Sequence, residues 1–181
     1  MKPIVHVPQD VLVTPAKPVT SFDDKLAKLI KDMEETLLAT VNPKGVGLAA
    51  TQVGVSLRVF LTKPTPKAKI RAFINPEILN KSETLTDGIP ERTNKLEGCL
   101  SIPNVWGNVH RAASLTLRYQ DAQGVSHEEE FSGFLATIIQ HETDHINGIL
   151  FTQRVLEQKE KLFQVVENKN GEEVLEEIPL R

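Results

Sequence analysis

The pentapeptide His141-Glu142-Thr143-Asp144-His145 constrains the chain more than any other stretch. On a helix, two positions four residues apart lie on the same face. His141 and His145 can therefore offer two imidazole nitrogens to one metal ion, with Glu142 beside them to take the proton of a bound water. Catalytic metal sites usually have three protein ligands and one open position, so the pattern predicts a third ligand elsewhere in the chain.

Composition and charge limit the class of protein that carries this helix. The 181 residues fit a single domain, 1–181, and a 40% hydrophobic content is ordinary for a globular protein. A net charge of −3 argues against a broadly electrostatic binder of nucleic acid or membranes. No apolar run reaches the ~18 residues of a membrane span, and the N-terminus lacks signal-peptide character. We therefore expect a cytoplasmic protein with neither a membrane nor a sequence-specific nucleic-acid partner.

Cys99 is the single cysteine, so an intrachain disulfide is excluded and its thiol is free for metal or redox chemistry. A lone cysteine is most often an inert, buried small hydrophobe. The alternative is that Cys99, which follows a glycine, completes a Cys-His-His site suited to Zn2+ or Fe2+. Gln52 and a backbone N–H near Leu100 could then hold an oxyanion, which describes metal-assisted hydrolysis of an amide.

Hydrophobic periodicity predicts helices at two places. An amphipathic helix should begin with a cap at Thr20 or Ser21 and end near Thr40, where Pro43 follows. The helix that carries the two histidines should begin near Ser132 and end at Asn147-Gly148.

Strand patterns fill most of the remaining chain. Strands are expected at 58–62, 72–75, 109–120 and 125–131, the last two as a hairpin, and residues 77–81 can continue a strand. The polar stretch 82–96 predicts a surface loop. Residues 155–181 predict a C-terminal extension that forms a hairpin or, alternatively, a short helix.

Gly45 and Gly47 lie two residues apart at the start of a run of small residues. Taken alone, the run is most simply a glycine turn that leads into a packing helix. The alternative is that the two glycines let another chain approach the backbone closely.

Three stretches, in this order and at these separations, resemble the motifs of the peptide deformylase family. They are Gly45-Val46-Gly47-Leu48-Ala49-Ala50-Thr51-Gln52, Glu97-Gly98-Cys99-Leu100-Ser101 and Gln140-His141-Glu142-Thr143-Asp144-His145. The resemblance implies an α+β fold of small, mostly antiparallel sheets around the metal-binding helix, with an N-terminal amphipathic helix. It implies removal of the N-formyl group from N-formylmethionyl ends of newly made polypeptides, with release of formate. The implied cofactor is one divalent metal ion, usually Fe2+, which Zn2+, Ni2+ or Co2+ can replace.

The resemblance also implies roles for individual residues. The metal ligands would be Cys99, His141 and His145, and the catalytic residues would be Glu142, Gln52 and Leu100, the last through its backbone N–H. The implied substrate-binding residues are Val46, Gly47, Arg111, Phe134 and Ile138. The peptide would bind as an extra strand beside the glycine motif.

The implied partners are nascent N-formylmethionyl peptides, so a location near the ribosome in a bacterial-type cytoplasm is expected. The tail is acidic and should not dock on ribosomal RNA by charge. The 82–96 loop is longer than in compact members of the family, which leaves pocket detail open. Two other classes compete: a zinc peptidase that cuts internal peptide bonds, and a metal-stabilised binding protein without catalysis.

Overall fold

A computed structural model describes residues 1–87 and 95–179 of the chain. Within these residues the fold is α+β, with three α-helices and small sheets in which neighbouring strands are antiparallel. The helices are α1 (Asp24–Ala39), α2 (Gly133–Ile146) and α3 (Phe151–Glu157). The strands are β1 (Gly47–Ala49), β2 (Val59–Thr62), β3 (Arg71–Lys81), β4 (Leu85–Asp87), β5 (Glu97–Cys99), β6 (Ile102–Gly107), β7 (His110–Ala112), β8 (Ser114–Gln120), β9 (Ser126–Ser132), β10 (Leu162–Glu167) and β11 (Glu173–Glu177).

Helix α1 begins later than the sequence predicts, because Asp23 and not Thr20 or Ser21 caps it. The Asp23 carboxylate accepts hydrogen bonds from the backbone N–H groups of Lys25 and Leu26, which have no partner inside the helix. The helix ends at Ala39, with Thr40 as its C-cap, close to the expected position. Its apolar stripe is buried against β1 and β2 and consists of Leu26, Leu29, Ile30, Met33 and Leu37.

The larger sheet has the strand order β1-β2-β3-β8-β9. The β8–β9 hairpin aligns Ser114 with Ser132 and continues in register to Gln120 and Ser126. One face of this sheet packs against α2 through a cluster of rings in which Phe73 contacts Phe60, Tyr119 and Phe131. The helix with the two histidines is therefore held by a rigid apolar support.

The second sheet has the order β11-β10-β6-β5 and carries the cysteine motif at one edge. The C-terminal segment forms the β10–β11 hairpin, whose turn includes Asn168 and Gly171. Strand β10 pairs with β6, so this hairpin extends the sheet that holds β5. Among the described residues of this segment, α3 is the only helix, and it ends before the hairpin.

The stretch 82–96 differs in part from the predicted loop. Residues 85–87 form β4, which pairs with β7, while 88–94 lie outside the described residues. The strand predicted over 109–120 is divided, because Ala113 separates β7 from β8. None of the helices in the described part of the chain has the length and apolar character needed to cross a bilayer.

Candidate metal centre and its cleft

The structure brings Cys99, His141 and His145 together into one cluster. One ligating atom from each residue lies within 4.8 Å of the others, and Cys99 Sγ is 3.1 Å from His145 Nε2. Cys99 and His145 are buried, whereas His141 is partly exposed at the cleft. The three side chains are therefore arranged as the ligands of one metal ion would be, and the cleft gives access to the cluster from one side.

Two elements position these ligands. The two histidines lie one turn apart on α2, with ring centroids 4.9 Å apart. Gly148, at a φ of +75°, lies just beyond the end of α2, in a left-handed conformation that suits glycine. Cys99 is the last residue of β5, where the pairing with β6 shifts register between Gly98 and Cys99.

Glu97 fixes the orientation of the His141 ring through a hydrogen bond. Its Oε1 lies 2.6 Å from His141 Nδ1, an arrangement that leaves Nε2 for a ligand. This role is absent from the sequence prediction, although Glu97 opens one of the recognised motifs. The available signal was the glutamate's place two residues before the cysteine, but a contact across 44 positions has no local signature.

Glu97 begins a buried chain of charges that runs away from the metal centre. Arg111 donates to both Glu97 oxygens, at 2.6 and 3.1 Å, and to Asp144 at 2.6 Å. Asp144 in turn accepts two hydrogen bonds from Arg154. The contact with substrate that we expected for Arg111 is therefore wrong, because its side chain is only 5% exposed and does not line the cleft. Asp144 is thus a salt-bridging residue, paired with both arginines.

The electrostatics of the cluster favour an ionised thiol. Burial alone would raise the pKa of Cys99, but His145 and His141 beside it lower the pKa to about 5. Burial would lower the pKa of His141, and Glu97 and Cys99 raise it well above its usual value. A thiolate next to two imidazoles is a donor set that borderline metal ions such as Zn2+ and Fe2+ accept.

Glu142 lies beside the cluster in a cradle made by Gly47. A Cβ at position 47 would overlap the Glu142 carboxylate, so only glycine leaves room for this side chain. Oε2 of Glu142 is buried without a hydrogen-bond partner among the described residues. Burial raises the pKa of Glu142 to about 7, while the neighbouring histidines act in the opposite direction. A buried, unpartnered carboxylate oxygen points to a missing ligand or water, so the residues present fit a metal site with a bound molecule.

Gln52 is also buried, and its side chain lies close to Cys99. Its Oε1 accepts a hydrogen bond from the Ala49 N–H at 2.8 Å, which fixes the side chain. Its Nε2 donor lies 3.5 Å from Cys99 Sγ and 3.4 Å from Ser101 Oγ. The N-terminal arm ties this motif to the cysteine motif, since Val5 donates to the Gln52 carbonyl and Val7 to the Ser101 carbonyl.

A cleft of about 580 Å³ opens onto the cluster, and most of its wall is apolar. It lies between the free edges of β1 and β5, each the last strand of its sheet. The predicted residues that line it are Val46, Gly47, Gln52, Cys99, Leu100, Phe134, Ile138, His141 and Glu142. Further lining residues that the sequence prediction did not assign are Pro43, Lys44, Trp106 and Thr137.

The glycine run forms one edge of the cleft and does not begin a packing helix, since a short 3-10 turn (Ala50–Val53) follows β1.

Fold and site together define an α+β protein with a candidate metal centre of one thiol and two imidazoles beside a buried glutamate. The model of the family described as polypeptide deformylase matches residues 1–161. Peptide deformylase 1 of Bacillus cereus is 45% identical over 152 residues, which cover 84% of this chain and 90% of that protein. The chain belongs to the polypeptide deformylase family, whose members are enzymes that remove N-formyl groups from nascent peptides.

Solved structures agree with this assignment. The crystal structure of peptide deformylase from Thermotoga maritima has a TM-score of 0.76 and 39% identity, and the match covers 85% of this chain and 97% of that one. A Met-Ala-Ser-bound class I type b peptide deformylase from Acinetobacter baumannii has a TM-score of 0.75 at 36% identity, with 85% and 98% of the two chains covered.

Proposed function

We propose that this chain hydrolyses the formyl amide of N-formylmethionyl peptides at the Cys99-His141-His145 cluster and releases formate. The observation that carries the proposal is the position of Glu142. Its carboxylate lies against Gly47, next to the ligand cluster and at the wall of an apolar cleft. A buried carboxylate in this position is suited to proton transfer during amide hydrolysis, and the membership of the family supplies the reaction class.

Cys99, His141 and His145 would hold one divalent ion, with Fe2+ as the native choice and Zn2+, Ni2+ or Co2+ as replacements. Such an ion would supply Lewis acidity and lower the pKa of water to a value near neutrality. Glu97 fixes the His141 ring through the nitrogen that faces away from the cluster. A thiolate ligand distinguishes this site from those of common zinc peptidases, which use two histidines and a carboxylate.

Glu142 would accept a proton from the attacking water and return it to the leaving amine. Gln52 and the backbone N–H of Leu100 would stabilise the negative charge that develops on the formyl oxygen. The Gln52 side chain is held by the Ala49 N–H, so its amide is fixed before substrate binds. Donors that need no rearrangement are the most effective in such a role.

The cleft supports a methionyl peptide as substrate. Phe134, Ile138 and Val46 give the apolar wall that an unbranched thioether needs. An extended peptide would pair with the free edge of β1, where Gly47 allows close approach. The related Acinetobacter baumannii structure binds Met-Ala-Ser, the peptide that remains after such a reaction on its formylated form. Nascent chains near the ribosome, in the cytoplasm, are the natural source of formylated ends.

The proposal is tested by formate release from formyl-Met-Ala-Ser, with acetyl-Met-Ala-Ser as the matched substrate. The protein is purified without oxygen, and its metal content is measured on the same sample. We expect formate release from the formyl peptide and no comparable turnover of the acetyl peptide, because an added methyl group must fit between the centre and the cleft wall. Equal turnover of both, or cleavage inside the peptide, would favour the zinc peptidase alternative.

Two variants separate catalysis from binding. Glu142→Gln should retain metal and bind the peptide but lose at least ~100-fold in turnover, since it removes the group that transfers the proton. Glu83→Gln, which makes the same change at an exposed position, should keep wild-type activity. If the metal-loaded wild type binds formyl-Met-Ala-Ser but releases no formate, a non-catalytic binding protein becomes the better account.

A further inference from the structure

A second cavity lies behind the metal-binding helix, and none of the ligands lines it. It measures about 940 Å³ and is open to solvent. Helix α2 contributes residues from a different face than the one that lines the cleft, namely Gln140, Thr143 and Asp144, and Asn147 follows at its C-terminal end. The opposite wall is the irregular second half of β3, where two register shifts against β8 interrupt regular pairing. We refer to this space as the rear cavity.

The rear cavity carries more positive than negative charge. Among the described residues, Arg58 donates hydrogen bonds to two neutral groups, the Asn147 side chain and the Pro76 carbonyl. Burial lowers the pKa of Arg58, and the Glu77 carboxylate nearby opposes this shift. Lys81 is solvent-exposed and makes no ion pair with any of the described residues. Arg154 is the third cation of the lining.

Both carboxylates of the rear cavity have cationic partners. Asp144 accepts from two arginines, Arg111 and Arg154. Glu77 lines the cavity and lies 3.6 Å from Arg118, an exposed arginine that is not part of the lining. Arg58 and Lys81 are in no ion pair among the described residues, so the three cations of the lining exceed its two carboxylates. Partial desolvation lowers the pKa of Lys81, Asp144 opposes this shift, and Arg111 and Arg154 add to it.

Neutral donors surround these cations. The Thr143 hydroxyl is buried and has no hydrogen-bond partner among residues 1–87 and 95–179. Asn80 and Asn147 each use the side-chain oxygen to accept a hydrogen bond, which leaves their amide nitrogens as donors. A group of several acceptor oxygens with a negative charge would satisfy such a set.

We propose that the rear cavity binds a phosphate group, either as free inorganic phosphate or as part of a small phosphate ester. Two unpaired cations suit an anion of charge near −2, and the hydroxyl and amide donors suit its several oxygens. The cavity is open to solvent on one side, which leaves room for a short organic portion. The proposal concerns a surface separate from the cleft, so it stands whether or not the proposed hydrolysis is correct.

The test is a titration of the Zn2+-loaded, 15N-labelled full chain with sodium phosphate, followed by amide chemical shifts at constant ionic strength set with sodium chloride. Ribose 5-phosphate is titrated in parallel, and the ligand with the lower dissociation constant identifies the form that the cavity prefers. We expect saturating shifts at Asn80, Lys81, Thr143 and Asn147. Shifts that chloride reproduces, or that occur only around Gly47 and Leu100, would overturn the proposal.

Variants assign the binding to the cavity. Lys81→Gln should weaken phosphate at least about fivefold, because it removes a cation at short range. Lys67→Gln, the same change at an exposed lysine away from the cavity, should alter the affinity less than twofold. Asn80→Asp adds a negative charge to the lining and should weaken binding by a similar factor to Lys81→Gln. Unchanged affinity in both Lys81→Gln and Asn80→Asp would refute the assignment.

Discussion

Replacement of Arg111 by methionine should destabilise the protein far more than the same replacement at a surface arginine. Arg111 is 5% exposed, and its partners Glu97 and Asp144 are 4% and 11% exposed. Methionine fills a similar volume but leaves two buried carboxylates without their shared cation. Arg118, which is 55% exposed and pairs with exposed glutamates, is the matched control.

The magnitude follows from what remains after the change. Removal of one partner from a buried ion pair costs about 3–5 kcal/mol. Glu97 keeps its contact with His141, and Asp144 keeps Arg154, so the lower end of that range, about 3 kcal/mol, applies here. Arg118→Met should cost no more than about 1 kcal/mol, since its partners remain in water. Arg111→Lys keeps the charge but loses the two-pronged geometry and should fall between the two.

The assay is urea denaturation followed by far-ultraviolet circular dichroism, with all variants at the same metal occupancy. The free energy of unfolding is compared at equal slopes, because a changed slope would indicate a different unfolded state. If Arg111→Met loses less than about 1 kcal/mol, or no more than Arg118→Met, then the ion pairs of this buried chain of charges do not stabilise the fold.

Three further predictions concern other parts of the chain. Gly47→Ala should reduce formate release severely with little change in unfolding free energy, because the new methyl group displaces Glu142; unchanged kcat would contradict this. Asp23→Ala should lower the unfolding free energy by about 1 kcal/mol in urea through loss of the α1 cap, and no change would contradict it. Glu160 and Asp87 raise the pKa of His110. The stabilisation that protonated His110 gives the folded state through these two carboxylates should therefore be full below about pH 6.5. It should be lost as the pH rises through the higher pKa of His110 in the folded state, so the unfolding free energies of wild type and His110→Gln should converge at high pH.

Hydrophobic periodicity and local chemistry were enough to predict the elements whose formation depends on residues close together in the chain. The position of α2 follows from Ser132, the apolar flanks and Gly148, and α1 follows from its apolar stripe. Cys99 could be proposed as a ligand because two histidines on a helix leave a metal site incomplete. These inferences need only helix geometry and ligand preference, which short segments reveal.

Contacts between distant segments could not be derived in this way. Arg111 looked like a substrate contact, whereas it binds Glu97 and Asp144, which lie 14 and 33 positions away. An arginine in a strand has the same local pattern whether it faces solvent or a buried carboxylate. Similarly, Asp23 caps α1 in place of the expected Thr20 or Ser21, because the choice of cap depends on which residue leaves the helical conformation.

The pairing of β10 with β6 has a consequence for self-association. Without β10, the backbone N–H and C=O groups along that side of β6 would be exposed, and such an edge readily recruits strands from other molecules. With the hairpin in place, β11 is the outermost strand on this side of the sheet. Its five residues are all exposed and include Glu173, Glu176 and Glu177. Two copies of β11 would bring like charges together, so the acidic tail protects the sheet that carries Cys99 from aggregation.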